Sequence, residues 1–316
     1  MVSSSLTPVM EEGECINWAE LPYELTSSIL RRLGPIDILE NAQRVCTSWR
    51  RVCKDPDMWR KIDMRSFGDK EYEIEIIMRN FGYLAYKLQI MFRHAVDRSQ
   101  GGLVEIDLWN FGTDSLLNYI ADSSSNLRSL KLALMPTITI EVLTEALVKL
   151  PLLEELEVSN CTLWGDSLKV VGQSCPDLNT LKLHRCGMGP PRDVSDDDAL
   201  AIAKTMHGLR FLQLVGNSLT DAGLNAILDN CPYLEHLDLR QCLNLNLVGD
   251  LEKRCSERIK VLRRPNDSTH DYPYDVCFYD ADPPEDYYFI LVNDHPRYDS
   301  TISGVVFDDI FDYLNL

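Results

Sequence analysis

The pattern of apolar positions along this chain has two regimes. From Leu103 onward one six-residue phrase recurs: LVEIDL, LRSLKL, LEELEV, LNTLKL, LRFLQL, LEHLDL and a degraded IKVLRR. The phrases begin at Leu103, Leu127, Leu153, Leu178, Leu209, Leu234 and Ile259, spaced by 24, 26, 25, 31, 25 and 25 residues. Alternation within each phrase predicts a short strand whose leucines point inward. Between phrases the apolar residues recur at helical spacing, as in Leu143, Ala146, Leu147 and Leu224, Ile227, Leu228. Thr139, Ser195 and Thr220-Asp221 supply helix starts. The one long interval contains GPPRDVSDDD, and removing that loop restores the usual length. A strand and a helix per unit, none able to bury its apolar face alone, predict an α/β solenoid with a curved parallel sheet.

Residues Trp18 to Asp63 read differently. Pro22 is suited to a first helical turn, and Leu25, Ile29, Leu30 and Leu33 mark one helix face that stops at Gly34-Pro35. A second short helix carries Ile36, Ile38 and Leu39; a third carries Val45, Trp49 and Val52 and breaks before Pro56, with Met58 and Trp59 following. Three short helices cannot enclose this many large apolar side chains. The surplus either docks on the rest of the chain as an N-terminal cap or offers a helix face to a partner.

The remaining segments divide the chain further. Residues 1–17 read as a disordered leader. Residues 64–102 form a linker in which Met-Arg-x-Phe-Gly occurs at Met64 and again at Met78. The second copy runs into Met91, Phe92, Ala95 and Val96 with helical spacing and is expected to cap the first repeat, while the first copy is a surplus loop or helix. The repeats occupy 103–264, and 265–316 is a tail with twelve acids against Arg297. That tail holds −11 of the formal net charge of −18, leaving −7 for the remainder. Self-repulsion predicts a disordered, solvating arm. An electrostatic arm for basic partners is the alternative.

Composition narrows the chemistry. Hydrophobic residues make up 45% of the chain, ample for a sizeable core. No apolar run reaches the ~18 residues of a membrane span, and the leader lacks the basic start and apolar centre of a secretory signal. These features point to the cytoplasm or nucleus, with thiols kept reduced. The ten cysteines form no Cys-x-x-Cys pair and no zinc spacing. Cys161, Cys186 and Cys242 each fall three residues after a strand, and Cys175 and Cys231 each precede a proline, which is positional use of a small buried thiol. His184, His207, His236, His270 and His295 sit in no nucleophile motif, and Gly187-Met188-Gly189 runs into prolines instead of a phosphate-binding helix. The expectation is therefore no catalytic residue, cofactor, metal, nucleic acid or membrane partner. His184 and His236 fall on the open face of the sheet.

The string Leu21-Pro22, Glu24-Leu25, Ile29-Leu30, Leu33, Asp37, Leu39, Val45-Cys46, Trp49-Arg50, Asp55-Pro56 and Trp59-Arg60 resembles an F-box. Cys161, Cys186, Asn217 and Cys242 after the strands resemble the cysteine-containing subclass of leucine-rich repeats. Together the two parts resemble a plant F-box/leucine-rich-repeat protein. That resemblance implies a non-catalytic substrate receptor of an SCF-type cullin–RING ubiquitin ligase, bound through a Skp-type adaptor. The adaptor-binding residues it implies are Leu21, Pro22, Leu25, Ile29, Leu30, Leu39, Val45 and Trp49. The third and fifth positions of each phrase face the open side of the sheet, where Trp109, Glu155, Glu157, Phe211 and His236 are the candidates for holding a protein substrate. The rival reading is a non-ligase repeat scaffold whose acidic tail holds basic nuclear proteins.

Overall fold

The computed structural model describes residues 17–63, 81–109, 112–133, 135, 138–159, 163, 165–185 and 194–272. Its centre is one parallel sheet of eight strands placed side by side in chain order. The strands are β1 (Lys61–Asp63), β2 (Glu105–Trp109), β3 (Ser129–Ala133), β4 (Glu155–Ser159), β5 (Thr180–His184), β6 (Phe211–Val215), β7 (His236–Asp238) and β8 (Val261–Arg263). Each predicted phrase supplies one strand from β2 to β8. Strand β1 precedes them, inside the stretch assigned to the helical module. Lys61-Ile62-Asp63 is too short for its alternation to stand out, yet Ile62 aligns with Ile106 of β2 and is buried.

The register explains the stack. Ile106, Leu130, Leu156, Leu181, Leu212 and Leu237 fall in one row across the sheet. Leu108, Leu132, Val158, Leu183 and Leu214 form a second row, and both rows are buried. Fully burying one such side chain contributes about 1.5–3 kcal/mol, so the rows are what hold successive repeats together. Helices close the opposite side: α4 (Phe81–Arg98), α5 (Asp114–Ser123), α6 (Ile140–Val148), α7 (Gly165–Ser174), α8 (Asp197–Thr205), α9 (Asp221–Asn230) and α10 (Gly249–Arg258). Leu143, Ala146, Leu147, Leu224, Ile227 and Leu228 turn inward from α6 and α9 as their spacing requires. Helix α7 approaches α8 closely at Gly172, where a Cβ would collide with Thr205.

The helix starts are tied from one repeat to the next. Thr139 caps α6 by accepting from the Val142 amide at 3.4 Å. The Thr139 amide and hydroxyl in turn donate to Asp114 of α5 at 2.9 and 3.0 Å. Thr220 caps α9 and donates to Asp196 in the same way, at 2.7 Å through both groups. Ser195 accepts from the Asp197 amide at the start of α8. Buried thiols fill a similar connecting role: Cys175 donates towards the Leu147 and Leu150 carbonyls at 3.6 Å, and Cys242 donates to the Leu214 carbonyl at 2.7 Å. Burial pushes the Cys175 and Cys231 thiols up to about 11, which keeps them protonated. Cys161 and Cys186 lie outside the described residues.

The N-terminal module consists of α1 (Tyr23–Leu30), α2 (Pro35–Glu40) and α3 (Thr47–Cys53) with short 3-10 turns between and around them. Its buried residues join the solenoid core without a break. Helix α4 links β1 to β2 with Leu88, Met91, Phe92, Ala95 and Val96 buried, so it is the helix of the first strand–helix unit. The first Met-Arg-x-Phe-Gly copy lies outside the described residues.

At the other end the chain does not leave the sheet after β8. The Gln241 amide donates to the Pro265 carbonyl at 2.8 Å, and the segment from Pro265 to Tyr272 turns back over the open face. The first eight residues assigned to the acidic tail are therefore packed on the repeats. Residues 273–316 lie outside the described residues.

Candidate adaptor and substrate surfaces

Helix α1 is two-faced. Thr26, Ser27 and Leu30 turn inward, and Pro22 and Leu25 face outward with Ile29 half-buried beside them. Leu25 is 55% exposed, a large residual exposure for a leucine in a packed helical module. Val45, between the turn at Ala42–Arg44 and α3, is 57% exposed. Its position is set by Cys46, whose sulfur caps α3 by accepting from the Trp49 amide at 3.4 Å. Trp49 is half-buried and its indole N–H donates to the Trp18 carbonyl at 3.0 Å, which anchors the turn ahead of α1. Leu21 is also half-buried.

Two of the eight expected adaptor residues belong elsewhere. Leu30 and Leu39 are fully buried in the module's own core and offer no surface to a partner. The helical pattern could not separate the two roles, because an interface leucine and a core leucine carry the same spacing signal. Trp18, Tyr23 and Leu33 are exposed and extend the outward surface. Leu33 was foreshadowed by its place four residues after Ile29. Tyr23 bonds Asp55, and that hydrogen bond holds the phenol above its ordinary pKa and the carboxyl below its own.

The open face of the sheet carries a ladder of opposite charges. Glu105 receives Lys61 at 2.7 Å and Lys131 at 3.1 Å. Lys131 also reaches Glu155 at 3.6 Å. Lys182 donates to Glu155 at 2.9 Å and to Glu157 at 3.1 Å. The hydrogen bond from Lys61 leads in holding the Glu105 carboxyl below its usual range. At Glu155 burial pushes the other way, and the lysine contacts outweigh it. Lys131 and Lys182 are opposed by burial too, yet their carboxylate partners hold them above the ordinary lysine value.

Four of the five expected substrate residues meet in one patch. The Phe211 and His236 rings stack with centroids 5.4 Å apart. The Lys182 ammonium lies 5.6 Å from the Phe211 centroid, so it joins Glu155 and Glu157 to the two rings. Trp109 ends β2 in register with Ala133, four strands from Phe211, and its side chain lies outside the description. His184 was expected on the open face; it lies there beneath the returning segment and is buried, with Tyr272 over its ring at 4.4 Å between centroids. That cover could not be read from the acidic tail's composition. Among the described residues no group of three or more His, Cys, Asp and Glu is placed to hold a metal, and no helix is long and apolar enough to cross a membrane.

Comparison with known proteins places the N-terminal module and the chain as a whole. Residues 18–65 match the F-box-like family. F-box protein SKIP19 of Arabidopsis thaliana is 61% identical over 275 residues, covering 86% of this chain and 85% of that protein. The chain belongs to the plant F-box/leucine-rich-repeat family. Putative F-box/LRR-repeat protein 22 of the same plant is 54% identical over 288 residues, covering 90% of this chain and 89% of its own length. F-box protein SKIP1, also from Arabidopsis thaliana, is 31% identical over 251 residues, covering 75% and 82%. As a family member, this chain pairs an F-box with a repeat sheet whose open face is separate from it in the sequence.

Proposed function

We propose that this F-box/leucine-rich-repeat protein is the substrate-recognition subunit of an SCF-type cullin–RING ubiquitin ligase. The F-box binds a Skp-type adaptor, and the open face of the repeats holds a protein substrate. The observation that carries the reading is the outward surface of the F-box: Pro22, Leu25 and Val45 stay exposed although the module's own core is complete without them. A helix face of this kind fits into a groove on a partner. The chain supplies no bond chemistry in this reading; a RING subunit and a conjugating enzyme provide it. Its contribution is to hold the substrate near the charged ubiquitin and so raise the effective concentration. The site of action is the cytoplasm or nucleus.

The test is a binding titration with a purified Skp-type adaptor. Leu25→Asp together with Val45→Asp should weaken binding by at least about a hundredfold, since buried interface anchors typically contribute ~2 kcal/mol each. Thermal unfolding should stay close to the parent, because both positions face solvent. Unchanged adaptor affinity in the folded double variant would overturn the proposal.

A further inference from the structure

We propose that the open face from β5 to β8 is a receptor for a peptide carrying an acidic residue followed by an aromatic one, and that Asp271-Tyr272 occupies it as an internal ligand. This rests on the reading that the open face receives the substrate, and it adds the substrate's chemistry.

The acidic half of the site is built around Arg240, which is 4% exposed. It sits two residues beyond Asp238 of β7, on the same side of the sheet. Asp238 grips one edge of its guanidinium, with Nε to Oδ1 at 3.0 Å and Nη2 to Oδ2 at 2.7 Å. That grip comes from the sheet itself, so the guanidinium is oriented whether or not anything lies above it. The remaining nitrogen, Nη1, bonds the Ser268 carbonyl at 3.0 Å and the Asp271 carboxylate. Arg263 of β8 reaches the other Asp271 oxygen at 3.2 Å. A fixed guanidinium with one free edge and a second arginine beside it form a preorganised carboxylate receptor.

The aromatic half lies one residue further along. The Tyr272 ring rests on His184, tilted by 38° with centroids 4.4 Å apart. His184 is 2% exposed, and neither ring nitrogen has a hydrogen-bond partner among the described residues. Buried polar groups are almost always paired. An imidazole left unpaired beneath an aromatic ring marks a floor that the internal segment covers without satisfying. A ligand with a donor or acceptor at this depth would have a gain that Tyr272 does not take from His184.

The segment is also built to leave. Between Pro265, whose carbonyl is held by Gln241, and Tyr272, which lies over His184 of β5, it crosses three strand spacings, ~14 Å. None of residues 266–272 is buried. The face it covers is thus released without taking any fully buried residue out of the core.

The experiment uses a fluorescently labelled peptide of residues 266–275 and the full chain, followed by anisotropy. Asp271→Ala with Tyr272→Ala should bind this peptide at least tenfold more tightly than the parent, because its own occupant is disabled. A control peptide with alanine at those two positions should not bind. Adding Arg240→Ala to the double variant should abolish binding. Arg263→Ala, at an exposed position, should weaken binding severalfold and serves if the Arg240 variant does not fold. Equal affinity of parent and double variant, no saturable binding to the double variant, or equal binding of the control peptide would each overturn the proposal. Adaptor affinity, measured on the same samples, should not change; its loss would count against the F-box reading and leave this one standing.

Discussion

The guanidinium of Arg98, in the last turn of α4, lies over the indole of Trp59 at 5.5 Å from the ring centroid. Both side chains also donate to one acceptor, the Cys53 carbonyl, from Trp59 at 2.8 Å and from Arg98 at 3.4 Å. Arg98 further bonds Gln43 at 2.8 Å. Strand β1 begins two residues after Trp59 and pairs with β2. The F-box is therefore joined to the repeats through packing, hydrogen bonds and the sheet, which fixes the direction of its outward face relative to the open face.

Arg98→Ala should loosen that joint. Hydrogen bonds to a charged group typically contribute ~1.5–3 kcal/mol, so a loss of about 2 kcal/mol is expected. For a domain of this size that corresponds to a fall in Tm of roughly 4–8 °C. Amide exchange in α3 should quicken more than exchange in β4 to β6. An unchanged melting curve would show that contacts such as the Lys87–Glu40 pair suffice to hold the module.

The division between surface and core in the F-box gives a second expectation. Leu30→Ala, at a fully buried site, should cost about 2–5 kcal/mol, the range for emptying a core leucine. Leu25→Ala should cost under about 0.5 kcal/mol of stability, as is usual at exposed positions. Urea unfolding of both variants decides it: comparable losses would mean that Leu25 also packs the core.

The solenoid was legible because leucine rows repeat at a nearly constant interval, and every phrase from Leu103 to Ile259 became a strand. Strand β1 was not, since three residues with one apolar position carry no period. Interface and core leucines of α1 and α2 share one periodicity, so Leu25 and Leu30 separate only once three helices are packed. Phe211 and His236 were named singly from the sequence, and their stack emerges from the register, which sets equivalent positions of β6 and β7 side by side. The return of Pro265 to Tyr272 was hidden for a physical reason: it depends on two specific side-chain pairings and on no repeating pattern. Deleting residues after Pro265 is accordingly expected to expose His184 and free one edge of Arg240.

The charge ladder predicts a plateau of stability with pH. Glu105 and Glu155 have folded pKa values below 4.5, so their contribution is present above that value and is lost as pH falls through the folded values. Lys131 and Lys182 are raised above 10.5, so theirs is present below it and is lost as pH rises through the folded values. Glu105→Gln with Glu155→Gln should be less stable than the parent at pH 7, and the gap should shrink by pH 3. Urea titrations at the two pH values measure this, and a gap that stays constant would rule the ladder out as its source.

His184 gives the sharpest dependence. Burial, aided by the nearby charges of Lys182 and Arg240, pushes its pKa down from 6.5 to about 3. As pH falls below 6.5 the unfolded chain takes up a proton that the folded chain refuses, so stability declines from there towards pH 3. One pKa unit corresponds to about 1.4 kcal/mol, and the decline between pH 6.5 and 4.5 should be about 2 kcal/mol from this residue. The carboxylates of the ladder act below 4.5, which leaves the upper window to histidine. His184→Phe keeps a ring beneath Tyr272 and removes two buried nitrogens that have no partner among the described residues. Replacing such a group by an apolar one of similar shape is near neutral or stabilising. The variant should therefore match or exceed the parent at pH 7 and pull ahead of it steadily down to pH 4.5. Denaturant unfolding of both proteins across that range is the measurement. A variant that is clearly weaker at pH 7, or a difference that does not grow with acid, would mean that the imidazole is hydrogen-bonded in solution.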